Sequence, residues 1–164
     1  MDNMMGLKGR VVWTLRGPDG TIKDRRVDTN LVTDVGDIYL AQLAYGSQWA
    51  THAMKLGSTD TAGAKNGAGS FVPVGSYVSG SAHACDNSSP KVGASANILY
   101  FEHTWAAGEA TGTINVASIV SNVVDLGEDD AGATLAIDQL PDKPITKGAA
   151  DTLEVDWSIT FLGA

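Results

Sequence analysis

A chain of 164 residues with a net charge of -8 and a single cysteine, Cys85, is long enough to bury the core of one domain and excludes an internal disulfide framework. The acidic balance argues against phosphate-driven nucleic-acid binding, which needs clustered Lys and Arg. No stretch reaches the roughly twenty apolar residues of a membrane span, and Met1 to Gly6 lacks a charged segment followed by an apolar one, so neither membrane insertion nor a secretory signal is expected.

Met1 to Gly6 carries little patterning and reads as a flexible or partner-docked arm, ahead of a single domain over 7–164. From Leu7 the chain alternates: Leu7, Val11, Trp13 and Leu15 fall on one side, with Lys8, Arg10, Thr14 and Arg16 on the other. Gly17-Pro18-Asp19-Gly20 reads as a tight turn. The return strand, Thr21 to Asp28, holds only Ile22 and Val27 among charges, the pattern of an edge strand guarded against stray pairing. A helix over 34–45 follows. Val35, Tyr39 and Leu43 recur at helical spacing, Thr33 or Asp34 can cap the start, Asp37 suits the first turn, and Gly46 ends it.

Ala53 to Gly57 reads as a short strand. Between Gly57 and Gly93 the composition turns to Gly, Ser, Ala and Thr, broken by Phe71-Val72-Pro73-Val74 and Tyr77-Val78; such a loop is either a partner-contacting surface or disordered spacing. Ser95 to Trp105 is a strand with apolar residues in both registers, as for a central strand covered on two faces. Ala106 to Gly112 reads as the turn of a hairpin whose second strand is Thr113 to Val124. After the acidic link Leu126 to Gly132, a further strand spans Ala133 to Leu140, and Ile145 to Gly148 feeds the last one. From Asp151 to Phe161, Leu153, Val155, Trp157, Ile159 and Phe161 alternate without a break with Thr152, Glu154, Asp156, Ser158 and Thr160. That is a half-buried strand on which the rest should pack. Seven or eight strands and one helix, with no βαβ rhythm, predict a mainly β, antiparallel sandwich, jelly-roll-like or a Greek key.

Chemistry is hard to place on this chain. His83 and Cys85 are too few ligands for zinc, and Glu128-Asp129-Asp130 lacks the alternating oxygen ligands of a calcium loop; both read as solvated loop residues. His52, His83 and His103 are the only histidines, no G-x-S-x-G elbow is present, and His103 alternates with Leu99, Phe101 and Trp105 as a packed, hydrogen-bonded strand residue would. Gly63 to Gly69 lacks the Lys-Ser/Thr ending of a phosphate loop. No catalytic residue, metal site or cofactor is therefore expected. Charge is unevenly spread: Lys8, Arg10, Arg16, Lys23, Arg25 and Arg26 lie in the first 26 residues, and Asp151, Glu154 and Asp156 close an acidic C-terminal region. The two ends can attract one another, within a subunit or between neighbours.

Three pieces resemble small virion structural proteins of tailed bacteriophages. They are Gly17-Pro18-Asp19-Gly20-Thr21-Ile22-Lys23-Asp24 with Asn30-Leu31-Val32-Thr33-Asp34-Val35-Gly36-Asp37, then Ala106-Ala107-Gly108-Glu109-Ala110-Thr111-Gly112, then Ile145-Thr146-Lys147-Gly148-Ala149-Ala150-Asp151. The likeness covers most of the chain outside 57–93 and implies a role in particle architecture. Such modules serve in head decoration and in tails. Size, acidity and the absence of a heptad or fibrous repeat point to a capsid decoration (cement) protein. On that reading it binds the major capsid protein and other virion proteins at the particle surface after assembly in the host cytoplasm, as a homo-oligomer, with a trimer as one arrangement. Contact candidates are Met1, Met4, Met5, Arg10, Arg25, Arg26, Trp49, Phe71, Tyr77, Glu154 and Asp156. The alternatives are a tail or baseplate component, and, from another class, a carbohydrate-binding sandwich with Trp49 or Tyr77 stacking on sugar.

Overall fold

The computed structural model describes residues 6–44, 53–58, 76–86, 91–92, 98–120, 134–140 and 142–162. Within them the protein is mainly β, with antiparallel pairing throughout and one helix. The first sheet runs in the order β2 (Ile22–Asp28), β1 (Gly6–Arg16), β13 (Thr152–Leu162), β8 (Ile98–Trp105), β7 (Lys91–Val92). The second runs β3 (Leu31–Val32), β11 (Thr134–Gln139), β10 (Val116–Val120), β4 (Ala53–Ser58), β5 (Ser76–Tyr77), with β6 (His83–Ala84) also on β4. A small third ladder joins β12 (Ile145–Lys147) to β9 (Gly112–Ile114). The two large sheets share one core in a sandwich-like arrangement; their strand orders do not by themselves make a jelly roll.

The terminal strand holds the place its alternation predicts. β13 lies between β1 and β8 and pairs with β1 along its whole length, from Arg16 with Thr152 to Gly6 with Leu162. Its Leu153, Val155 and Trp157 are fully buried, with Val11, Trp13, Leu15, Phe101 and Trp105 on the same inner face. The turn after β1 forms as its residues dictate: Gly20 takes φ 80°, its N–H donates to the Gly17 carbonyl, and the Asp19 carboxylate accepts from the Thr21 N–H and hydroxyl. β2 is the edge strand its charges predicted.

The helix, α1 (Asp34–Ala44), is capped by Thr33, whose hydroxyl accepts from the Gly36 N–H and donates to the Thr134 carbonyl. Gly36 is required by proximity: a Cβ there would sit 2.1 Å from the Leu135 carbonyl oxygen, so any other residue would push α1 off β11.

Three expectations fail. The strand ending at Trp105 and the one after the Ala106–Gly112 turn do not form a hairpin: β8 belongs to the first sheet, β10 to the second, and β9 pairs with β12. The turn carries the chain from one sheet to the other, through Gly108 at φ 87° and Ala110 at φ 44°. Nor is β8 covered on two faces, since Tyr100 and Thr104 are exposed; the strands buried on both faces are β4, β10 and β11 of the second sheet. Cys85 is a core residue, 6% exposed, and burial pushes its thiol up to about 12, far from any nucleophilic form. Within 57–93 the described residues include β5, β6 and β7, so that region contributes edge strands as well as loop. Gly46, His52, Gly63 to Gly69, Glu128-Asp129-Asp130 and the arm Met1 to Met5 lie outside the described residues. No helix among the described residues is long and apolar enough to cross a membrane.

Candidate functional site

Parts of the segments that carry the resemblance, Lys23, Ala106 to Glu109 and Lys147 to Asp151, converge, while Leu31 to Gly36 packs on β11 instead. Lys147 on β12 is buried, and its Nζ donates to the carbonyls of Ala106, at 2.9 Å, and Glu109, at 2.8 Å. Asp151 accepts through Oδ2 from Lys23 Nζ at 2.8 Å and from its own turn at the Gly148 N–H, while the Gly108 N–H donates to the Ala149 carbonyl. Lys23 and the Gly148 backbone hold the Asp151 carboxyl below its ordinary range. Burial depresses the Lys147 ammonium, and Asp151 and Glu109 oppose that. Every polar atom named here is spent on another part of the chain. The arrangement is a structural clasp between β2, the turn after β8 and the turn before β13, and sequence spacing alone could not join pieces more than a hundred residues apart.

A second polar group spans the two sheets. Trp13 Nε1 of the first donates to Asp138 Oδ2 of the second at 2.5 Å, and Asp138 Oδ1 meets no hydrogen-bond partner among the described residues. Burial pushes this carboxyl up to about 7, with the Trp13 bond opposing. At the far side His103, 7% exposed, packs edge-on to Trp105 and stacks on His83 at 4.9 Å. Its Nδ1 lies 2.9 Å from Asp86 Oδ1 but is not aligned for a hydrogen bond. Asp86 Oδ2 accepts from the Thr104 N–H, and Oδ1 forms an ion pair with the His103 ring only when the ring is protonated, so neither ring nitrogen makes the hydrogen bond expected of it. Burial lowers the His103 pKa, and Asp86 works against it. This is the packed strand histidine its alternation predicted. Among the described residues no three His, Cys, Asp or Glu side chains gather as metal ligands.

The feature left open to a partner is the outer face of the first sheet. Alternation opposite the core residues, with the cross-strand register, places Lys8, Arg10, Val12, Thr14 and Arg16 of β1 on it. Ile22, Arg25 and Val27 of β2 lie to one side; to the other lie Thr152, Glu154, Asp156, Ser158 and Thr160 of β13, then Ile98, Tyr100, Glu102 and Thr104 of β8. The face is divided by charge along the β1–β13 seam, basic on the β1 and β2 side and acidic on the β13 and β8 side. Among the described residues Arg16 and Glu154 form an ion pair across it, at 3.8 Å with both side chains well exposed. Burial and the neighbouring Glu154 and Glu102 raise the Asp156 carboxyl above its ordinary range although Arg25 and Arg10 pull the other way. Three large apolar side chains stand among these charges: Ile22 53% exposed, Val27 52% and Tyr100 36%. Val12 and Thr14 in the middle are each only 5% exposed.

Of the sequence candidates, Arg10, Arg25, Glu154 and Asp156 meet on this face. Arg26 does not join them. Its place in the ladder, opposite Trp13, turns it to the other side of β2, where it pairs with Asp24 at 2.6 Å and lines a cleft of about 280 Å³ with Val27, Asp28, Leu140, Asp142 and Lys143. Tyr77 lies in β5 opposite Gly57, away from the first sheet. Met1, Met4, Met5, Trp49 and Phe71 lie outside the described residues. Glu102, Tyr100, Val27 and Ile22 escaped the sequence reading because only the register reveals that they share a face with Arg10 and Glu154. Within the subunit the basic and acidic ends are neighbours: β1 pairs with β13, and Arg16 meets Glu154 and Lys23 meets Asp151. No family model, curated protein or solved structure matches the chain.

Proposed function

We propose that the chain is a non-enzymatic structural protein of a tailed-phage particle, a decoration or cement protein that sits on the outer surface of the major capsid protein shell and stabilises it. The observation that carries this reading is the outer face of the first sheet. A four-to-five-strand sheet face with Ile22, Val27 and Tyr100 exposed at the flanks of its charged halves is built to meet another protein surface over a broad area rather than to enclose a small molecule. The clasp around Lys147 and Asp151 supports it further, since the residues it gathers serve rigidity and leave the face free. A rigid body with a broad face suits many identical shallow contacts on a lattice.

The same face would serve subunit contacts in a tail or baseplate, and copy number separates the two positions. Quantitative mass spectrometry of intact particles should find the chain in a fixed, high ratio to the major capsid protein; a handful of copies per particle would move it to the tail. Purified protein added to shells that lack it should raise their disruption temperature. No binding to such shells defeats the cement reading.

A further inference from the structure

The division of the outer face by charge says what kind of surface it fits. Lys8, Arg10, Arg16 and Arg25 lie on one side of the β1–β13 seam and Glu102, Glu154 and Asp156 on the other, with the apolar side chains at the two flanks, Ile22 and Val27 beyond the basic half and Tyr100 beside the acidic half. A partner must present the reverse order across the same width. The face itself does so after a half turn about an axis that lies in the interface along the seam. That rotation carries each basic half over an acidic half, twice, and brings the Tyr100 flank of one copy over the Ile22 and Val27 flank of the other. A half turn about an axis across the strands would instead set like charge on like. Size is adequate: β2, β1, β13 and β8, of 7, 11, 11 and 8 residues, at about 3.4 Å per residue and about 4.8 Å between strands cover roughly 600 Å², about three quarters of the ~800 Å² that each partner buries in a standard specific interface.

We infer that this face closes on a second copy of the same chain, the two first sheets stacked face to face about a two-fold axis along the β1–β13 seam. The pairing deepens the particle-subunit reading and rests on it for its biological role: the protein surface that this face meets is a second subunit, and the dimer's remaining surfaces meet the shell. It is measured on the isolated protein, so its failure and the failure of shell binding are separate results. A homodimer takes the place of the trimer that the sequence reading entertained.

The test uses the full chain in sedimentation velocity at low and high ionic strength. Wild type should form a dimer that weakens as salt rises. Lys8→Glu with Arg10→Glu and Arg25→Glu makes both halves acidic, and Glu102→Lys with Glu154→Lys makes both basic; each variant alone should lose self-association by at least about tenfold. Mixed in equal amounts, the two should pair with each other, because opposite faces now meet on both sides of the seam. Val27→Asp, which leaves those seven charges untouched, should weaken the wild-type dimer as well. A wild-type monomer at all accessible concentrations, a trimer mass, charge variants that dimerise undiminished, or folded variants that fail to pair when mixed would each overturn the inference.

Discussion

The two large sheets solve the same problem in different ways, and the contrast explains most of what this chain's sequence reveals. In the first, β1 and β13 bury one side and leave the other to solvent: along β13, residues from Asp151 to Thr160 alternate without a break between buried and half-buried. In the second, all five residues of β10 are buried, as are Ala53 to Gly57 of β4 and Thr134 to Asp138 of β11. One side of that sheet faces the first through Met54, Leu56, Ala117 and Ile119, while the other holds Ala53, Lys55, Ser118 and Ile137, buried just as deeply. A one-faced sheet writes itself as alternation, whereas these two-faced strands lose it and bury Lys55, Ser118 and Asp138 among their apolar residues.

The sharpest test of that contrast compares sides. In the first sheet the inner Trp157 is fully buried, so Trp157→Ala should cost about 3–5 kcal/mol in urea unfolding, while substitutions beside it at Ser158 should cost almost nothing. In the second sheet the two sides should cost alike. Ile119 and Ile137 point to opposite sides and are 1% and 2% exposed, so Ile119→Ala and Ile137→Ala should each destabilise by about 2–5 kcal/mol. A near-neutral Ile137→Ala would mean that the second sheet is one-faced after all.

The acid dependence of stability separates the sheets next. Asp138 projects from the second sheet into the shared core with its carboxyl raised from 3.8 to about 7. Between those values the unfolded chain has released this proton and the folded one retains it, so stability falls as pH rises through the window and levels off above about 7. Asp138→Asn keeps an acceptor for Trp13 and removes the fall; at about pH 8 it should be more stable than wild type by a few kcal/mol, with little difference at about pH 3. His103 of the first sheet slopes the other way. Its pKa is lowered from 6.5, so the unfolded state takes up the proton first and stability drops as pH falls below about 6.5. His103→Gln should flatten that limb and leave the Asp138 window intact, and a single limb abolished by both variants would show that one group was misassigned.

The same contrast marks how far the sequence could be read. β1, β2 and β13 were legible because period two survives in them, and α1 because Thr33, Asp37 and helical spacing agree with its observed start. The hairpin expected after Trp105 failed because a turn followed by an apolar run looks the same whether the chain folds back within its own sheet or crosses to the other. Strand exchange of that kind is decided by Lys147 reaching the Ala106 and Glu109 carbonyls from forty residues away. The candidate face was half legible: Arg10, Arg25, Glu154 and Asp156 were visible as charges at the chain's two ends, but their meeting on one surface follows from the antiparallel register of β1 with β13 and β2. Reading Arg26 with them was the error of treating a charged edge strand as a single patch, when alternate residues leave on opposite sides.

The smallest expected effect is also the one that ties the outer face to its partner. Arg16 and Glu154 stand 3.8 Å apart across the seam with side chains 40% and 37% exposed, so in the monomer a double-mutant cycle of Arg16→Gln and Glu154→Gln should return a coupling of no more than about 0.5 kcal/mol that fades with salt. If the face closes on a second copy, both groups are desolvated and each acquires charges of the opposite sign from above. Because dimerisation stabilises the folded state by mass action, the apparent cost of either substitution should then grow with protein concentration, while the cost of Trp157→Ala measured from a common monomer reference should not. A coupling that stays small and independent of concentration would confine this pair to the monomer and leave the face without its second copy.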